Sequence, residues 1–273
     1  MTLMAAIQMA SGPQVQANLM EAGRLIKEAA GRGAKLVVLP ETFAIMGVHE
    51  TDRVKAAEEY GNGPIQTFIS QQAKKYGVWI VAGTIPVRSE DPERVYAASI
   101  LYNEKGEIVA RYDKIHLFDV MLGENQEVYT ESDTTFPGQS PVVVDSPFGK
   151  LGMSVCYDLR FPELYRRLSA QGAQVLLVPS AFTELTGKAH WETLLRARAI
   201  ENLCYVIAPG QGGYHVNGRT TYGHSMIVDY WGRVRGVQER GTGIVVAEID
   251  LASLEKTRKT FPVLSHRCTE SIH

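Results

Sequence analysis

Leu36-Val37-Val38-Leu39-Pro40-Glu41 is the stretch on which the reading of this chain turns. Its first four residues are apolar without alternation, the pattern of a strand covered on both faces and therefore of a sheet lying between other layers. Upstream, Val15, Leu19, Ala22, Ile26 and Ala29 recur at helical spacing and predict one buried helix stripe, stopped by Gly31 and Gly33. Residues 3–9 predict a strand before that helix. Strand, helix and buried strand in succession define an α/β protein.

The same ending recurs twice. Residues 175–178 run into Pro179-Ser180, and residues 206–208 into Pro209-Gly210-Gln211. Ligands of α/β sheets bind at the carboxyl ends of strands. Proline also simply terminates strands, so the coincidence marks these segments without deciding their role.

Outward from these strands, Pro64 to Tyr76 predicts a helix with Gly77 past its end. Residues 78–85 read as a strand, 96–102 and 107–112 as a hairpin, and 142–145 with 151–155 as another strand pair. Helices are expected over 161–171 and 188–202. Strands are expected over 175–178, 204–208, 223–230 and 242–249, with Trp231-Gly232 in a turn. Residues 116–140 carry weak periodicity, and a loop of that length in a compact domain points to function. The last twenty residues read as an irregular tail. No linker, repeat or low-complexity tract divides the chain, so residues 1–273 are expected to form one domain with a tail from about 261.

Composition bounds the function. The 273 residues are 45% hydrophobic and 21% charged, with 28 Lys+Arg against 30 Asp+Glu and a net charge of -2. That balance lacks the basic excess that a nucleic-acid partner demands. The N-terminus has no basic segment before its apolar residues, and no apolar run approaches the about 18 residues of a membrane span, so neither a signal peptide nor a membrane partner is expected. Cys156, Cys204 and Cys268 are odd in number and widely spaced, which fits a reducing compartment, the cytoplasm, and argues against a structural zinc.

Cys156 ends a predicted strand ahead of a helix, where a thiol can be exposed and backbone N–H groups can lower its pKa and hold an oxyanion. A free cysteine is more often a small buried hydrophobe. Cys204 fits that description, inside an apolar strand, and Cys268 gains no role. Seven histidines are present and spacing selects none as a base. Glu41, directly after the buried strand, could serve if burial raises its pKa; a solvated carboxylate or ion-pair partner fits the position equally. Lys114 precedes the apolar Ile115-His116-Leu117-Phe118 and could stabilise an oxyanion, although an exposed strand-end lysine is the commoner case. Dinucleotide, Walker, serine-elbow and metal patterns are all missing, and the scattered arginines read as surface or ion pairs.

Taken together, Leu39-Pro40-Glu41, Asp113-Lys114-Ile115-His116-Leu117-Phe118 and Gly152-Met-Ser-Val-Cys156-Tyr-Asp-Leu-Arg-Phe-Pro-Glu163 resemble the three signature blocks of the nitrilase superfamily, the carbon–nitrogen hydrolases, in the family's order. The resemblance covers nearly the whole chain. It implies an α/β fold, a four-layer α-β-β-α sandwich of two mixed sheets, and a homodimer or higher homo-oligomer. It implies a Cys156-Glu41-Lys114 triad with Glu131 as a further glutamate and no cofactor or metal. Cys204-Tyr-Val206, Gln211-Gly-Gly-Tyr-His215 and Arg219 are similar to the branch that cleaves deaminated glutathione, more than to enzymes acting on 2-oxoglutaramate.

The expected activity is thus hydrolysis of a small acidic 2-oxo amide through a Cys156 thioester. Glu41 is the base and acid, and Lys114 with the Tyr157 backbone N–H holds the oxyanion. Glu131 fixes Lys114 or the substrate. Arg160 pairs with the substrate carboxylate or, alternatively, with Glu163. Thr186 and Phe43 are further pocket residues. A 2-oxoglutaramate amidase, a nitrilase or carbamoylase, and a non-catalytic binding relative are the rival readings.

Overall fold

The computed structural model describes residues 1–122 and 127–268. The first half of the chain contains β1 (Thr2–Gln8), α1 (Val15–Gly31), β2 (Leu36–Val38), a short α2 (Asp52–Lys55), α3 (Pro64–Tyr76), β3 (Trp79–Val81), β4 (Ile85–Arg88), β5 (Val95–Tyr102), β6 (Ile108–Asp113), β7 (Asp119–Leu122) and β8 (Glu127–Thr130). The second half contains β9 (Val142–Ser146), β10 (Gly149–Met153), α4 (Pro162–Ala170), β11 (Val175–Leu177), α5 (Glu184–Asn202), β12 (Tyr205–Ala208), β13 (Gly212–Tyr214), β14 (Thr220–Tyr222), β15 (Ser225–Val228), β16 (Val234–Gln238), β17 (Gly243–Ile249) and α6 (Leu251–Thr260).

Two large mixed sheets result. One has the order β17-β1-β2-β3-β5-β4, with β6 paired to β5; the other has the order β16-β15-β12-β11-β10-β9. Period-two alternation sends each strand's side chains to two different layers. Met4 and Ala6 of β1 and Leu36 and Val38 of β2 join one core with Leu151, Val175 and Ile207 of the facing sheet. Ala5, Ile7 and Val37 join a second core with Leu19, Ala22 and Ile26 of α1 and Ile69 of α3. Leu164, Leu168, Trp191 and Leu195 of α4 and α5 cover the other sheet's outer face. The expected four layers, helix, sheet, sheet, helix, are present, and the uninterrupted apolar run of β2 is explained by cover on both sides.

β1, β2 and β3 are parallel neighbours, as are β10, β11 and β12. Their carboxyl ends release the segments after Pro40, Val155, Pro179 and Pro209. β6 is antiparallel to β5, which is antiparallel to β3, so β6 runs with β3 and delivers Lys114 at the same end.

Several expectations change. The strand expected over 78–85 is two strands, divided at Gly83. The 116–140 segment is no plain loop, because β7 and β8 pair as a hairpin followed by a single 3₁₀ turn, Glu131–Asp133. In β7 only Val120 and Leu122 are half-buried, too short an alternation to register as a strand. Positions 123–126, within that segment, lie outside the described residues. The β13–β14 hairpin and β16 were not expected, since the hairpin is rich in glycine and threonine and the two valines of β16 are exposed. The tail begins later than the last twenty residues. α6 runs to Thr260, with Asp250 accepting from the Ser253 N–H at 3.1 Å, and its one buried side chain, Leu254, leaves almost no stripe to detect. Positions 269–273 of the tail are outside the described residues. No helix among the described residues is long and apolar enough to cross a membrane.

Gly83 holds the site's approach. Its φ is +26°, and a Cβ there would lie 1.9 Å from the Pro40 carbonyl oxygen. Gly83→Ala must therefore displace Pro40-Glu41 or unfold the turn. Urea denaturation should show a loss of about 3 kcal/mol or more. An unchanged midpoint would contradict this account of the turn.

Candidate active site

Three strand ends and one loop place charged groups around a buried ammonium. Lys114, after β6, is 2% exposed, so the commoner expectation of a solvated strand-end lysine fails here. Its Nζ donates to Glu41 Oε1 at 2.8 Å and to Glu131 Oε1 and Oε2 at 2.9 and 2.7 Å. Burial alone would lower the Lys114 pKa, but the charges of Glu131 and Glu41 outweigh it and raise it. Burial pushes Glu131 up, yet Lys114, Arg53 and the Phe118 N–H, which donates at 2.7 Å, hold its carboxyl below the ordinary value.

Glu41 is also buried. Its Oε2 accepts from the Ala181 N–H at 2.8 Å, at the end of β11, and its carbonyl accepts from Gln211 Nε2 at 3.0 Å, after β12. The three proline-ended strands therefore converge on one residue, Glu41, through its carboxylate and its main-chain carbonyl.

Cys156 opens a 3₁₀ turn, Cys156–Arg160, with φ of +48°. Its N–H donates to the Pro179 carbonyl at 2.9 Å, tying the turn to the end of β11. The thiol is buried, contrary to the exposed, low-pKa setting expected. Desolvation first, then the neighbouring Glu41 carboxylate, push its pKa well above the ordinary thiol value, against smaller opposite effects of Lys114 and the Ala181 N–H. It rests as a protonated thiol facing a carboxylate.

Asp158, quoted in the third sequence block but given no role, is the buried hub of this turn. Its Oδ2 accepts from the Val155 N–H at 2.8 Å and from Tyr112 Oη at 2.6 Å. Its Oδ1 accepts from the His116 N–H at 3.1 Å and lies 2.7 Å from His116 Nδ1. The His116 ring stacks on Phe161, with centroids 3.7 Å apart. A buried, multiply bonded carboxylate gives no periodic signal, so sequence reading passed over it.

Glu41, Lys114, Glu131 and Cys156 form the floor of an open cleft. Glu41, Lys114, Glu131, Cys156, Tyr157, Arg160 and Thr186 all line it. Arg160 does not ion-pair with Glu163. Its Nη1 lies 3.2 Å from His190 Nδ1, and its guanidinium sits over the Phe182 ring at 5.1 Å. Thr186 Oγ1 and Thr183 Oγ1 are 2.8 Å apart at the start of α5. Phe43 is corrected: it is fully buried in the core beneath α1, and the cleft wall is formed instead by its neighbour Thr42, whose φ of +54° turns the chain. No cluster among the described residues could hold a metal ion.

The family model for carbon-nitrogen hydrolases matches residues 3–259. The chain belongs to that family. It is 46% identical over 268 residues to a protein named deaminated glutathione amidase from Synechocystis sp., covering 97% of each chain. It is 43% identical over 263 residues to one of the same name from Yersinia enterocolitica, covering 96% of this chain and 91% of that one. The crystal structure of the C. elegans NitFhit protein superposes with a TM-score of 0.93 at 36% identity, covering 100% of this chain and 66% of the longer one.

In this carbon–nitrogen hydrolase the Glu41 charge opposes ionisation of Cys156. Glu41→Gln should therefore move the pH profile of Cys156 alkylation by iodoacetamide to lower pH. A profile that stays in place or moves up would contradict the pairing of thiol and carboxylate.

Proposed function

We propose that this chain is an amidase that hydrolyses deaminated glutathione to 2-oxoglutarate and cysteinylglycine through a thioester on Cys156. The observation that carries the mechanism is the contact set on the cleft floor: the Cys156 thiol beside Glu41, whose Oε1 accepts from the ammonium of Lys114 at 2.8 Å. The names of the relatives support the substrate.

Glu41 takes the Cys156 proton as sulfur attacks the amide carbon and the C–S bond forms. The negative charge that develops on the carbonyl oxygen is held by Lys114 Nζ and the Tyr157 N–H, a donor of the first helical turn with no partner inside the helix. As the C–N bond breaks, protonated Glu41 gives its proton to the leaving amine. Water then attacks the thioester and passes a proton to Glu41, and the departing sulfur recovers it. Buried Glu131 keeps Lys114 charged and aimed, through two contacts at 2.7 and 2.9 Å.

Arg160 pairs with the carboxylate of the 2-oxo acid. Among the described residues no carboxylate neutralises it, and its planar fork suits a bidentate partner. The Thr186 hydroxyl stands on the same wall.

Cys156→Ala should lower turnover of deaminated glutathione by about 10³-fold or more, as removal of a nucleophile does. Mass spectrometry of quenched wild-type reactions should find a 2-oxoglutaryl adduct on the Cys156 peptide. Unchanged turnover in Cys156→Ala would overturn the mechanism. A higher kcat/KM for 2-oxoglutaramate than for deaminated glutathione would overturn the substrate.

A further inference from the structure

A second cationic wall of the cleft lies apart from the Cys156 turn. Glu50 stands between two arginines: its Oε2 pairs with Arg53 and its Oε1 with Arg219. Arg53 also donates to Thr135 Oγ1 at 3.2 Å, and it lies 3.9 Å from Glu131. Arg219 belongs to the β13–β14 hairpin, and its guanidinium lies 4.9 Å from the centroid of the Tyr129 ring. The hairpin is fixed to the opposite loop by Asn217 Nδ2, which donates to the Gly47 carbonyl at 3.0 Å. Glu50, Arg53 and Arg219 all line the cleft. Two guanidinium groups share the Glu50 carboxylate here, and Arg53 also meets Glu131, whereas among the described residues Glu50 is the one acid paired with Arg219. Among the described residues only Arg219 Nη2 is engaged by a side-chain acceptor, leaving Nε and Nη1 to donate.

We propose that Arg219, oriented by Glu50 and Tyr129, is the subsite for a carboxylate on the leaving-group side of the substrate. The inference rests on the functional reading above and adds how the amine half is recognised. The acyl half stays on Cys156 as thioester while the amine half departs, so the amine half must face the open mouth. Position in the chain assigns the two ends. The Arg160 turn begins at Cys156 itself, within reach of a short acyl chain's carboxylate. Arg219 comes from a different element, the turn of the β13–β14 hairpin, and its side chain is 33% exposed. A dipeptide leaving group ends in a carboxylate that this second cation can hold; a leaving ammonia offers none. The stacked, glutamate-buttressed guanidinium is held in one plane, which suits bidentate pairing with a carboxylate.

The test compares kcat/KM for deaminated glutathione and for its C-terminal carboxamide, which differ only in the glycine carboxylate, in wild type, Arg219→Ala and Arg219→Lys. Wild type should prefer the carboxylate by roughly 10- to 100-fold, the range for a hydrogen bond to a charged group. Arg219→Ala should lose most of that preference, and Arg219→Lys should keep part of it. A purely structural Arg219 would lower both substrates together and leave their ratio intact. A preference that survives in Arg219→Ala, or none in wild type, overturns the subsite alone. No turnover of deaminated glutathione by wild type overturns the functional reading and the subsite with it.

Discussion

The ammonium of Lys114, sealed between the carboxylates of Glu41 and Glu131, is the constraint around which the site is built. Taking three charges out of water is costly, and a buried ion pair returns that cost only with close geometry and further hydrogen bonds. Here both conditions hold: contacts of 2.7 to 2.9 Å, with the Ala181 N–H donating to the other Glu41 oxygen and the Phe118 N–H sharing Glu131 Oε2 with Lys114. Such an arrangement is better understood as a device for position than as a source of stability. It requires the ends of β2, β6 and β11 and the turn after β8 to meet at one point. The parallel strand directions in both sheets make that possible.

Asp158 registers Cys156 against this centre. It accepts from Tyr112, on the same strand that delivers Lys114, and from the backbone just ahead of Cys156. One buried carboxylate thus spans the two sheets and sets how far Cys156 lies from Lys114. The left-handed φ at Cys156 and its N–H bond to Pro179 hold the turn in place. Burial and the Glu41 charge then raise the thiol's pKa, which is why the proposed mechanism calls on a base in contact and not on a standing thiolate.

Much of this was legible in the residues. The unbroken apolar run of β2 declared a strand covered on both sides, and the stripe of α1 named the face that covers it. Glu41, Lys114 and Cys156 stood at strand ends where chemistry was one of two open readings, and the resemblance of their three blocks to one family selected them together. Their protonation was not legible, because a pKa depends on which charges meet in space. The Cys156 thiol therefore has the opposite shift from the one its position in sequence suggested. The β13–β14 hairpin escaped notice because Gly212, Gly213 and polar threonines carry no apolar alternation, and with it went the tie between Arg219 and Glu50. Phe43 was misassigned because adjacency to Glu41 says nothing about which side of a tight turn a ring occupies.

The most direct test of the central claim is a double-mutant cycle on Lys114 and Glu131, read as kcat/KM for deaminated glutathione. If Glu131 acts by holding Lys114, then Lys114→Met and Glu131→Gln each remove the same function. The double variant should then lose no more than about tenfold beyond the worse single variant. Losses that multiply across the two substitutions would mean that the residues act independently and would contradict the account.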